Sequence, residues 1–145
     1  MALILDTGPL LAAMDRSDRD HVACAQLLEA TQEELVIPAP ILPELDYWFD
    51  KGMGPDALMG LLSEIAAGVF RVEELKPVDY ARVAELLDKY IDLRVGFVDA
   101  AVLAIVERLG EPKLATLDRR HFSIMRPRHV EALELLPASI VGRRR

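Results

Sequence analysis

Met1-Ala-Leu-Ile-Leu-Asp-Thr-Gly-Pro-Leu10 is the stretch that decides the fold. Ala2 to Leu5 form a short, uninterrupted apolar run, the pattern of a strand buried on both faces. The run stops at Asp6, and Thr7-Gly8-Pro9 break the strand ahead of a helical stretch at Leu10–Met14. A carboxylate thus stands where a buried strand hands over to a helix. In open α/β sheets, ligands bind in the crevice beyond the carboxyl ends of the strands. Asp is also a preferred N-cap residue, so this stretch leaves Asp6 two roles, helix cap or functional acid.

Outward from that strand, short β-compatible runs alternate with helical patterns. Helices are expected over His21–Ala30, from about Pro40 to Asp50, over Pro55–Ala67, Val78–Ile91 and Phe97–Leu109, the last closed by Gly110. Strands are expected at Leu35–Ile37, Val69–Val72, Leu114–Thr116 and Leu133–Leu136. Alternation of this kind implies a parallel sheet covered by helices on both faces. Two consecutive helices before the third strand are the unusual feature.

Composition sets outer bounds. A chain of 145 residues, 52% hydrophobic and 28% charged, fits one globular domain with a sizeable core. No apolar run approaches the ~20 residues of a membrane span. No basic region precedes the first apolar run, so a secretory signal is not expected. Cys24 is the single cysteine, which excludes an internal disulfide and suits a reducing cytoplasm. The net charge of −7 is unevenly spread. Residues 1–112 hold 9 basic and 21 acidic side chains, a net −12, whereas residues 113–145 hold 8 and 3, a net +5. An acidic body suits cations and a basic C-terminal quarter suits phosphates, although Arg143–Arg145 also reads as a solvated tail.

Three further carboxylates stand out by position. Glu44 follows Pro43 early in a helix, Asp99 is the one polar side chain between Val95 and Val106, and Asp118 follows the fourth strand. Each has an ordinary explanation: a helix N-terminus favours Glu44, Asp99 would cap a helix beginning at Ala100, and Asp118 would pair with Arg119 or Arg120. Asp99 resists this most, because an Asp among apolar residues needs its charge compensated. Carboxylates converging on one rim repel one another, so a cluster makes sense chiefly as a cation site. Without His or Cys nearby, oxygen ligation favours Mg²⁺ or Mn²⁺ over Zn²⁺.

Asp6-Thr7 after the first strand, Glu44 in Ile-Leu-Pro-Glu-Leu, Asp99 in Gly-Phe-Val-Asp-Ala-Ala, and Asp118 in Leu-Ala-Thr-Leu-Asp with Arg-Arg-His-Phe after it resemble the PIN-domain pattern. Within that family the likeness is to VapC-type ribonuclease toxins of toxin–antitoxin pairs, and it covers essentially the whole chain. The resemblance implies a three-layer α/β fold with strand order 3-2-1-4-5, in a single domain at residues 1–142 followed by a basic tail at 143–145. It further implies Mg²⁺-dependent cleavage of transfer, ribosomal or messenger RNA, a homodimer, and inhibition by a VapB-type antitoxin. Carried over by position, Asp6, Glu44, Asp99 and Asp118 match the family's metal-binding acids. Thr116 matches the hydroxyl residue before the last acid, and Thr7 the one that follows the first. Gly96 departs from the polar residue common there.

Arg119, Arg120, Arg126 and Arg128 are candidates for phosphate contacts. Tyr47, Trp48 and Phe49 are candidates for base stacking, core, or a groove taking an antitoxin helix. His21, His121 and His129 lack a Ser or Cys partner pattern and receive no catalytic role. Two alternatives remain: a metal-free PIN domain that binds RNA or protein, and an Asp-nucleophile phosphatase. The latter requires a second Asp two residues after Asp6, where this chain has Gly8.

Overall fold

Ala2–Ile4 form strand β1, and with Leu5 they are buried on both faces, as a continuous apolar run requires. The computed structural model describes residues 1–138, in which four more short strands follow: β2 (Glu34–Pro38), β3 (Arg71–Glu73), β4 (Lys113–Ala115) and β5 (Glu134–Leu136). β1 pairs in parallel with β2, Ile4 opposite Val36, and β2 with β3, Ile37 opposite Val72. β4 and β5 pair separately, Leu114 opposite Leu135. The two halves meet at an isolated parallel bridge between Leu5 and Ala115. There the Asp6 N–H donates to the Ala115 carbonyl at 2.8 Å, and the Leu5 N–H donates to Val36 on the other side at 2.9 Å. Laid side by side, the strands run in the expected order 3-2-1-4-5.

Seven α-helices surround these strands among the described residues: α1 (Thr7–Met14), α2 (His21–Ala30), α3 (Leu42–Gly52), α4 (Pro55–Ala66), α5 (Pro77–Lys89), α6 (Phe97–Leu109) and α7 (Arg119–Ile124). α6 is the core helix. Ala100 to Val106 are all buried, so no face of that stretch needs to be polar. It closes at Gly110 with φ of 70°, the left-handed C-terminal position expected there.

Most ends fall within a residue or two of the sequence expectation, and the informative differences are these. α1 begins at Thr7 rather than Leu10, because Pro9 falls in the first turn, where a missing N–H has no intrahelical acceptor to lose. β3 lies at Arg71–Glu73 rather than Val69–Val72, since the chain first turns out of α4 through Gly68, with φ of 86°, and seats Phe70 in the core. The short helix α7 was not expected at all. The basic tail at residues 143–145 lies outside the described residues. Among the described residues, no helix is long and apolar enough to cross a membrane.

One buried charge cluster pins α5 to α6. The Asp79 carboxylate, 2% exposed, accepts from the backbone N–H of Lys76 at 2.9 Å and from Nε of Arg108 at 3.0 Å. Arg108 also reaches Glu73 at 2.9 Å. Asp79→Ala should therefore cost about 3 kcal/mol, because it strips a helix cap and leaves a half-buried guanidinium short of partners. A lowered urea midpoint with unchanged slope would register that loss. Activity per folded molecule should not move.

Candidate active site

The carboxyl ends of β1 and β4 open into a cleft of about 1030 Å³, and its lining includes Asp6, Glu44, Asp99 and Asp118. Chain geometry brings each acid there separately. Asp6 is carried by the end of β1, Asp118 by the loop after β4, Glu44 by the first turn of α3 and Asp99 by the first turn of α6. Gly8 permits the close approach of the two strand ends. A Cβ at position 8 would sit 3.1 Å from Cβ of Leu117. The second Asp that the phosphatase alternative requires would have to push the Leu117 side chain aside.

The capping explanations fare differently. Asp6 occupies the N-cap position of α1 but makes no side-chain capping bond. Its Oδ2 instead accepts from the Thr116 hydroxyl at 2.8 Å, and the same hydroxyl oxygen accepts from the backbone N–H of Asp118 at 3.0 Å. Thr116 thereby ties the first acid to the last. The Thr7 hydroxyl donates to Oε1 of Glu44 at 2.8 Å, so both threonines picked out from the sequence orient an acid. Asp99 does not precede its helix. α6 starts at Phe97 with Gly96 as its N-cap, which places the Asp99 carboxylate in the first turn, facing the cleft. Asp118 does cap α7, accepting from the His121 N–H at 3.2 Å, a role different from the expected pairing with Arg119 or Arg120.

His121 is the residue that the sequence reading missed. Its Nδ1 lies 2.9 Å from Oδ2 of Asp118 and 3.1 Å from Oδ2 of Asp99. Donor atoms of Asp99, Asp118 and His121 all fall within 4.8 Å of one another, close enough to share one ion. The expectation of a site without a nearby His is thus corrected, because helix α7 turns the ring inward. The other two histidines face main-chain carbonyls: Nδ1 of His21 lies 2.8 Å from that of Ala12, and Nε2 of His129 lies 2.6 Å from that of Glu111.

Burial and mutual repulsion set how readily these acids ionise. Burial pushes Asp6 up to about 6, with the Glu44 and Asp118 charges adding to the rise and the Thr116 bond opposing it. Burial likewise pushes Asp99 up to about 7, reinforced by the charges of Asp6, Asp118 and Glu44 and opposed by His121. Both carboxyl groups resist ionisation chiefly because burial strips water from the charged form, and secondarily because neighbouring acids repel it. The donor set of carboxylates and one imidazole fits a divalent ion such as Mg²⁺ or Mn²⁺.

Around the acids, Arg119 and Arg120 line the cleft, as do Trp48 and Asp18. Arg126 and Arg128 do not line it, and Arg128 pairs instead with Glu85 of α5. Phe49 is core, at 1% exposed, whereas Tyr47 and Trp48 stand about half exposed with their rings edge to face at 5.1 Å.

A parallel sheet in this order, with acids from four separate elements converging on its carboxyl edge, defines a PIN domain. The PIN-domain family model matches residues 3–126, and the chain belongs to that family. Within it the likeness is to VapC proteins. Over 125 residues the chain is 34% identical to Ribonuclease VapC26 of Mycobacterium tuberculosis, covering 86% of this chain and 93% of that protein. Among solved structures, VapC20 of Mycobacterium tuberculosis, described as a toxin cleaving the sarcin–ricin loop, superposes with a TM-score of 0.71. It is 20% identical, over 77% of this chain and 86% of its own. VapBC2 of Rickettsia felis, solved bound to a DNA fragment from its promoter, gives a TM-score of 0.68. It is 18% identical, over 93% of this chain and 98% of its own.

Proposed function

We propose that the chain is a metal-dependent endoribonuclease and the toxin of a VapBC-type pair. The observation that carries this reading is the convergence of Asp6, Glu44, Asp99 and Asp118 on one cleft, where burial and mutual repulsion raise Asp6 and Asp99. Its kinship with a protein named as a ribonuclease supplies the substrate class.

Asp99 and Asp118 would hold Mg²⁺ or Mn²⁺, with Asp6 and Glu44 completing the negative field. The ion, when bound, would activate a water, orient the scissile phosphate and offset charge on the leaving oxygen. The protein's own groups do the positioning. Thr116 fixes Asp6 relative to the Asp118 backbone, and Thr7 fixes Glu44, so neither acid must be ordered when substrate arrives. Arg120, which lines the cleft, would offer guanidinium donors to RNA phosphates, as would Arg119 with the part of its fork not given to the Pro137 carbonyl. Trp48 offers a planar face to a neighbouring base. Hydrolysis by an in-line water would leave a 5′-phosphate and a 3′-hydroxyl.

The same exposed Tyr47 and Trp48 support an antitoxin partner, because an amphipathic helix laid against α3 would cover them and obstruct the cleft. A homodimer completes the proposed assembly. The rival reading, a metal-free PIN domain that binds RNA or protein, draws on those same aromatics. One experiment separates the two. Purified protein should cleave total cellular RNA with Mg²⁺ or Mn²⁺ and stop when chelator is in excess. Emission from Trp48, the single tryptophan of the chain, should still change on RNA addition in chelator. Cleavage that survives stringent metal removal would overturn the metal-dependent mechanism. Binding without any cleavage in either ion would favour the rival. Mapping the cut ends would then identify the RNA.

A further inference from the structure

His121 places a nitrogen donor among the carboxylates. Its Nδ1 stands 2.9 Å from Asp118 Oδ2 and 3.1 Å from Asp99 Oδ2. Two ligands on adjacent corners of an octahedral ion, each bonded at about 2.1 Å, are separated by about 3.0 Å. Nδ1 is therefore already spaced from both carboxylates as co-ligands of one ion would be. Distances of that size also suit hydrogen bonds, so two further features matter. The residue is anchored beside the acid it would assist, because the His121 backbone N–H donates to the other oxygen of Asp118 at 3.2 Å. In addition, Asp6 and Glu44 are each held by a threonine hydroxyl at 2.8 Å, whereas Oδ2 of Asp99 and of Asp118 both face Nδ1.

We propose that His121 ligates the divalent ion through Nδ1 beside Asp99 and Asp118, and that this mixed donor set favours Mn²⁺ over Mg²⁺. The inference rests on the metal-dependent reading above. Its chemical basis is that imidazole suits first-row transition ions, whereas Mg²⁺ prefers oxygen donors and retains water. Ligation uses the Nδ1 lone pair, so with the ion bound the ring carries its hydrogen on Nε2. The rival role is that of a stand-in cation, an imidazolium that steadies the two acids and is displaced when the ion enters. The two roles have opposite consequences. Removing a ligand weakens binding of the ion, while removing a competitor strengthens it.

Direct binding of Mn²⁺ and of Mg²⁺ to the full chain, measured by calorimetry, tests this in the parent, His121→Ala and His121→Asn. Mn²⁺ affinity should fall at least ~10-fold in both variants, no less than the loss of an outer-shell partner costs, while Mg²⁺ affinity falls by a smaller factor, because Mg²⁺ gains little from imidazole. Pulsed electron paramagnetic resonance of the parent's Mn²⁺ complex should also show coupling to a directly bound nitrogen, a readout that needs no variant to fold. An unchanged Mn²⁺-to-Mg²⁺ ratio, tighter Mn²⁺ binding in His121→Ala, or absence of nitrogen coupling would overturn the ligand role. A parent that binds neither ion would overturn the metal-dependent reading as well, which separates the two failures.

Discussion

Asp99→Asn is expected to lower RNA cleavage at least ~100-fold while making the metal-free protein more stable. The first effect follows from the place of Asp99 opposite Asp118 in the cleft, since removing a dominant electrostatic contributor costs rates on that scale. The second follows from its environment. Burial and three neighbouring acids work against its charge, so a neutral side chain of the same shape relieves a penalty of about 2 kcal/mol at pH 8, after allowing for partial solvent exposure. A residue acting only as a cap would behave otherwise, because Asn caps helices about as well as Asp. Added Mg²⁺ should raise the melting temperature of the parent, because an ion that binds the folded state stabilises it by mass action. That rise should shrink sharply in the variant. Equal Mg²⁺ shifts in the two proteins, with cleavage retained, would remove Asp99 from the metal site.

Metal-free protein should also lose stability as pH rises from 5 to 8. Asp6 and Asp99 both have folded-state values raised from 3.8, to about 6 and about 7. Groups raised in this way bind protons more tightly folded than unfolded, so their contribution is fully present below the unfolded value and disappears as pH passes the folded one. Over that window the combined loss is about 3 kcal/mol, which for a domain of this size is a fall of roughly 10 °C in melting temperature. Saturating Mn²⁺ should flatten the profile. Asp99→Asn should remove more than half of the slope, since Asp99 has the larger shift. A flat profile in chelator would mean that the acids do not share one poorly solvated site.

How much of this was legible in the sequence depends on the range of the interaction. Ala2–Leu5 and Ala100–Val106 declare burial through unbroken apolar runs, and both elements appear where the pattern places them. Acids at strand ends and helix starts stand out because burial makes a charge conspicuous, and all four arrive in one cleft. His121 was missed because its meaning depends on α7, six residues long and without a period to detect. A signal did exist: an Asp in N-cap position places the residue three further on beside it, and Asp118 to His121 is that spacing. The arginines show the opposite limit. Arg120 and Arg128 look alike in sequence, but Arg128 turns toward Glu85, 43 positions away, and no local pattern announces such a partner.

The bridge between Leu5 and Ala115 has one more consequence. Two half-sheets are stitched together beside that point, and the site draws on both banks: Asp6 and Glu44 belong to the β1–β2 side, Asp118 and His121 to the β4 side, and Asp99 comes from α6. The cutting apparatus therefore exists only while the seam is shut. A molecule that wedged those banks apart would disarm the site without touching a single carboxylate, acting as a crowbar rather than a plug.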